Sequence, residues 1–269
     1  MKIKKIDRSI IKGINEDIAK EADVILSKEG ARYSMIYAFL YFIASTGIGI
    51  LISSLLFGVL QHFSLPVNDT IANAVTLILI FIFIAPALAG LFTVTGSVCR
   101  GENDLSGLFV AFSSPGAFLS AYLGTLIVCL RYAGFLALLY IPDLLIGFFD
   151  NGDEITAAYY PVCFIVTMIA FFVWYFITAR LARLPHCLWS CRLPFLKAIC
   201  ESYKGKHVVL TISGKNTLYV FLTLVTMFIM LVFHTGPVWA VQYEITVQRS
   251  EEILKKLHSE KSRKDGQDK

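Results

Sequence analysis

The chain has 269 residues, of which 56% are apolar and only 16% charged, with a formal net charge of +4. A soluble domain carries about 25% charged residues, so a water-soluble fold is disfavoured from the outset. The positive charges fall in short segments beside apolar runs rather than in one patch interleaved with aromatics, which argues against a nucleic-acid partner.

Residues 1–33 hold eight Lys and Arg residues. Ile3, Ile6, Ile10, Ile14, Ile18 and Ile25, with Ala22, recur at steps of three and four or their multiples, which is one face of an α-helix. Lys2, Lys4, Lys5, Arg8 and Lys12 crowd its beginning. Two readings of that face stand side by side. In one the helix lies on a cytoplasmic leaflet and the lysines attract anionic lipids; in the other it packs on the protein's own loops.

A hydrocarbon core of about 30 Å needs roughly 20 apolar residues of helix. Five stretches meet this length: 34–61, 70–98, 116–149, 156–179 and 217–246. The expected fold class is therefore all-α, a polytopic transmembrane helical bundle of about five spans (five or six) with amphipathic interfacial helices. The expected organisation is a cytoplasmic N-terminal segment (1–33), a transmembrane domain (34–248) and a charged tail (249–269). The first apolar run is too long for the core of a cleaved signal peptide.

Small residues mark the first two stretches: Ser45, Gly49 and Ser53, then Ala85, Ala89, Thr93 and Ser97. Such stripes let helix backbones approach closely in lipid. Arg131 falls near the centre of the third stretch, where a charge costs about 2.5–3.5 kcal/mol on insertion scales. Either it faces protein, water or a partner, or the span begins near it, with 116–130 along the interface and the guanidinium snorkelling. Asp143 follows Pro142, at a point where the helix can break. His234 precedes Thr235-Gly236-Pro237, and discontinuous helices at membrane depth tend to line cavities. Arg131, Asp143 and His234 are the candidate intramembrane functional residues.

Seven Lys and Arg residues fall in 180–216 and none in 62–69 or 150–155. By the positive-inside rule the N-terminus and the 180–216 loop are cytoplasmic. Five spans would then put the basic tail outside, a conflict that a re-entrant turn at His234–Pro237 would relieve. Within the loop, His186, Cys187 and Cys191 form an HCxxxC cluster. A zinc site needs four ligands, so these are read as structural cysteines, with reversible acylation near the membrane as the functional alternative at Cys187 and Cys191. Residues 194–205 predict a short interfacial helix, with Pro194 at its first position, Gly205 after its end, and Phe195, Leu196, Ile199 and Tyr203 on one face.

Several short motifs are similar to a group of bacterial polytopic membrane proteins of uncharacterised function, related to the membrane domain of glycerophosphodiester phosphodiesterases. They are Arg100-Gly101-Glu102 followed by Leu108-Phe109 and Phe112, then Pro142, Ala198-Ile199 with Glu201-Ser202 and Gly205-Lys206, and Pro237. The chain departs from the group at Pro142-Asp143, where Pro-Gly is common, and holds no phosphodiesterase domain. The resemblance implies a membrane domain without hydrolase chemistry and carries over no catalytic residue.

No paired carboxylates, histidine cluster or nucleophile–base pair appears at helical spacing, so no catalytic, metal or cofactor residue is assigned and no cofactor is expected. The expected function is a non-enzymatic, multi-pass cell-membrane scaffold, or a subunit of a transport or envelope system with membrane-protein partners. The alternative is a small transporter or lipid-handling permease that uses the intramembrane polar residues.

Overall fold

A computed structural model describes residues 8–63, 69–138, 159–204, 231–255 and 259. Seven α-helices run through them: α1 (Arg8–Ser27), α2 (Ala31–His62), α3 (Asp69–Cys99), α4 (Pro115–Leu138), α5 (Tyr159–Thr178), α6 (Phe195–Lys204) and α7 (Gly236–Gln248). Shorter 3-10 and π turns join some of them, and the described residues contain no strand.

The central unit is the antiparallel pair α2 and α3. Ser53 Oγ meets Thr76 Oγ1 at 2.6 Å, Gly49 lies one turn away against Ile80, and at the far end the Asn103 amide donates to Glu29 O at 2.7 Å. Numbers rising along one helix thus fall along the other. A Cβ on Gly49 would stand 2.9 Å from Ile80 Cα, so this crossing requires a residue without a side chain. Ser45 and Ser53 are buried beside it, so the first small-residue stripe is a helix contact. α3 ends because Gly101 adopts φ +83. Its N–H reaches Val98 O while Glu102 N–H reaches Ser97 O, the bond pair of a Schellman cap.

Two helices, 31–62 and 71–99, are long and apolar enough to cross a membrane, and there are three if the bent pair 105–112 and 115–131 crosses as one. Their outer faces expose Leu51, Leu55, Val59, Leu77 and Ile78. In water that surface would be costly, so the chain is a membrane protein. The five expected spans thus become two or three among the described residues. Residues 160–174 lie in α5, whose apolar part is shorter, while 139–149 and 217–230 lie outside the described residues, and Asp143 with them.

The third stretch does not hinge at Arg131. α4 runs unbroken through that residue, and the chain bends instead by 92° between the 3-10 turn Leu105–Phe112 and α4. Pro115 opens α4, where a missing N–H costs nothing, and Ser114 Oγ accepts from Ala117 N–H at 3.1 Å as its cap. Local capping therefore places the break at Ser113-Ser114, ahead of the charge.

No re-entrant turn forms at His234–Pro237 either. Residues 231–235 make a π turn that passes directly into α7, with Thr235 in the right-handed helical region and proline in the first turn. Widening the helix by one residue accommodates the N–H that Pro237 lacks.

Of the predicted isoleucine face, Ile14, Ile18, Ala22 and Ile25 of α1 are buried in one core with Met35, Val98, Val241, Ile245 and Ile253, so this part packs on the helices α7 and α2, while the side chains of Ile3, Ile6 and Ile10 lie outside the described residues. Glu21 of α1 accepts from Arg249, which also pairs with Glu252 at 3.1 Å. These hydrogen bonds, to Glu252 first and then Glu21, raise the Arg249 guanidinium further above its ordinary value. Because the pair is half exposed, Arg249→Ala is expected to cost at most about 1 kcal/mol. Limited proteolysis is expected to show faster cleavage inside α1 and no change in α2 or α3.

α6 forms close to where the sequence predicts it, with Pro194 just outside, its carbonyl accepting from Ala198 N–H at 2.8 Å. Its inward face differs from the expectation. Ala198 and Ser202 are buried, while Leu196 is 76% exposed and Tyr203 42% exposed. The exposed face of α6 thus mixes Leu196 and Tyr203 with Lys197, Cys200 and Lys204.

Candidate functional site

The second small-residue stripe is a seat. Ala89 shares a core with Leu188 and Trp189, Thr93 Oγ1 lies 3.4 Å from Trp189 O, and Gly96, outside the predicted stripe but next to its Ser97, lies under Ser190. A Cβ on Gly96 would come within 2.7 Å of Ser190 Cβ and 2.9 Å of its Cα. What rests on this stripe is the π turn His186–Ser190, every residue of which is buried. Phe92 stacks on Trp189 at 5.6 Å and meets Tyr243 of α7 edge-on at 5.5 Å, while the Tyr243 hydroxyl donates to Ala182 O at 2.6 Å. Three separate parts of the chain are thereby locked together.

At their junction lies Glu244, fully buried. A carboxylate there is tolerated only if donors replace water. His186 Nδ1 meets Oε1 at 2.8 Å, Gln248 Nε2 donates to the same oxygen at 3.0 Å, and Ser190 Oγ donates to Oε2 at 3.0 Å. The other ring nitrogen, Nε2 of His186, lies 3.3 Å from Sγ of Cys191. Carboxylate, imidazole and thiol therefore form one line from the interior to the surface, where Cys191 is exposed.

Burial by itself lowers the affinity of His186 for a proton, but the hydrogen bonds to Cys191 and Glu244 outweigh it and raise the imidazole to about 9. At neutral pH the ring is an imidazolium facing a carboxylate on one side and sulfur on the other. Burial pushes the Cys187 thiol up, against the lowering effect of Arg183. The π turn decides which cysteine meets the ring: Cys191 N–H donates to His186 O at 2.9 Å, a five-residue step that brings the two side chains together.

No family model, curated protein or solved structure matches the chain. What the arrangement can do is read from its geometry alone.

The line opens into a cleft of about 890 Å³ whose rim carries Arg100, Arg183 and Arg192 as well as Glu102 and Asp104. Arg100 donates to Ser190 O at 3.1 Å and to Ser97 Oγ at 3.2 Å, closing the turn against the end of α3. Arg192 has φ +53, the sole non-glycine residue in the left-handed region among those described. Leu193 N–H, bonded to Cys187 O at 3.1 Å, holds it there as a cap one residue wider than a Schellman cap.

Of the residues singled out in the sequence, Cys191 lies in this site. Cys187 is buried beneath it. Arg131 is half buried in α4, where its carbonyl accepts from Trp174 Nε1 of α5 at 3.0 Å. The His234 ring lies 3.3 Å from an Arg32 nitrogen at the start of α2. Neither belongs to the Glu244 site, and the two contact different helices. No group of three metal-ligating side chains is assembled among the described residues, and both His186 nitrogens already have partners. Sequence reasoning missed Glu244, although one acid between Trp239-Ala240-Val241 and Ile245 was a signal for a buried carboxylate.

Proposed function

We propose that this chain is a multi-pass membrane scaffold, or a subunit of a transport or envelope assembly, without enzymatic turnover. The observation that carries the reading is the disposition of its polar groups. The His234 ring meets Arg32 of α2, the Arg131 backbone meets Trp174 of α5, and the two residues contact different helices. The described ion pairs and the buried carboxylate gather around the open end of the α2–α3 pair. A permease that used Arg131 and His234 would be expected to bring them to a common path. The resemblance to the phosphodiesterase-linked membrane domains agrees with a membrane part that lacks hydrolase chemistry.

The same contacts suggest a topology. Glu29 meets Asn103, Glu21 meets Arg249, Arg32 meets His234 and Arg100 meets Ser190, so each excursion of the chain returns to one end. Crossings then come in pairs, and both tails share a side. The density of Lys and Arg in residues 1–33, 180–216 and 249–269 assigns that side to the cytoplasm. This removes the conflict that an odd number of spans creates, and it sets the basic N-terminus against anionic lipid headgroups.

Reconstitution tests the reading. The purified protein in liposomes is expected neither to take up solutes nor to scramble fluorescent lipids, and cross-linking in its native membrane is expected to trap it with other membrane proteins. His234→Ala is expected to lower the yield of folded protein, whereas Arg131→Ala leaves the backbone bond to Trp174 in place. Solute or lipid movement that these variants abolish, with folding intact, would overturn the proposal.

A further inference from the structure

We propose that Cys191 is a built acyl-acceptor site, a nucleophilic thiol that takes an acyl group from an anionic acyl thioester and anchors this end of the protein to the bilayer. Three observations converge on it. The sulfur is exposed, and a buried imidazole stands 3.3 Å behind it, itself held by a buried carboxylate at 2.8 Å. That is the geometry of an activated nucleophile with its base and the group that orients the base. The cleft in front carries three arginines, which suit the phosphates of a carrier thiol. Beside it α6 turns Leu196 and Tyr203 outward, an apolar surface along which an attached chain can enter lipid.

The chemistry balances without any further reagent. The proton of Cys191 rests on the His186 imidazolium, and the sulfur attacks the thioester carbonyl. The carbon–sulfur bond to the carrier then breaks, and the departing carrier thiol receives the proton from the imidazolium. One thioester is consumed, one forms on Cys191, and nothing is oxidised or reduced. Glu244 touches neither reactant; it is a positioning residue that fixes the ring and favours its charged form. The charges around the pair are Glu244 from α7, Arg183 and Arg192 on either side of the turn, Arg100, Glu102 and Asp104 from the end of α3, and Glu201 from α6. Each acceptor reacts once, which is consistent with a scaffold.

Cys200 supplies the internal control, since it is an exposed thiol on α6 with no imidazole contact among the described residues. In detergent, peptide-level mass spectrometry of iodoacetamide alkylation at pH 6.5 is expected to show Cys191 reacting at least about tenfold faster than Cys200, because an imidazolium stands 3.3 Å from one sulfur and favours its nucleophilic form. Glu244→Gln, in protein whose helical circular dichroism is unchanged, is expected to slow Cys191 alkylation at that pH and to leave that of Cys200 in place, a change that a merely structural carboxylate would not produce. In liposomes, labelled palmitoyl-coenzyme A is expected to give a hydroxylamine-sensitive adduct that Cys191→Ser removes and Cys200→Ser retains. Equal alkylation of the two cysteines, an adduct on Cys200 alone, or no adduct on folded protein would overturn the inference. The alkylation readout does not depend on the side of the membrane or on partners, so its failure is distinguishable from failure of the scaffold reading.

Discussion

Glu244→Leu is expected to destabilise the protein by about 3–5 kcal/mol, the usual cost of removing one partner from a buried charged pair. Leucine fills the space but leaves the His186 imidazolium and the Gln248 amide facing it without an acceptor, while the Ser190 hydroxyl keeps Phe92 O at 3.0 Å. Glu244→Gln keeps an acceptor and is expected to cost less. Thermal unfolding in detergent, followed by helical circular dichroism, ranks the two. pH provides a second check. Because His186 is raised from about 6.5 to about 9, its protonation favours the folded state. That contribution is fully present below about 6.5 and is lost as pH rises through about 9. The native protein is therefore expected to lose stability between pH 7 and 9.5, and Glu244→Leu is expected to flatten that loss.

Gly96→Leu is expected to cost about 3 kcal/mol, at the upper end for overpacking. The first atom of any side chain there would collide with Ser190 Cα and Cβ, so the whole π turn must lift off α3. Leucine is the better helix former by about 1 kcal/mol, which reduces the loss without reversing it. Gly47→Ala is the control: a Cβ at that position meets nothing within 4 Å, so the propensity gain stands alone and a slight stabilisation is expected. Since the turn carries His186 and abuts Cys191, Gly96→Leu is also expected to slow Cys191 alkylation to the rate of Cys200. If unfolding temperature falls and Cys191 reactivity does not, the seat matters for packing but not for the site.

What the sequence made legible follows from periodicity. The described part of the isoleucine face of α1 and the small-residue contacts of α2 depend on steps of three and four, and both are found where those steps place them. Where the α-helical period fails, legibility fails with it. His186 and Cys191 are five residues apart, a spacing that an α-helix splays and a π turn brings together. The bend at Ser113-Ser114 is set by a serine cap and Pro115, local signals that the charge at Arg131 overshadowed. Glu244 joins His186 across 58 residues, and no local pattern encodes such a partner. The end of the chain was misread for a related reason. A polar stretch after Pro237 is too short to span a membrane, but it is well suited to a helix that packs on α1.

The central claim is that one polar end of the helix bundle gathers both tails and the Cys191 site on the same side of the membrane. Membrane-impermeant maleimide labelling of single-cysteine variants, in right-side-out and inverted vesicles, tests it most directly. Lys20→Cys, Lys255→Cys and a variant that retains only the native Cys200 are expected to label together in inverted vesicles, and Phe63→Cys at the opposite end of the α2–α3 pair only in right-side-out ones. Labelling of Lys20→Cys and Lys255→Cys from opposite sides would contradict the account.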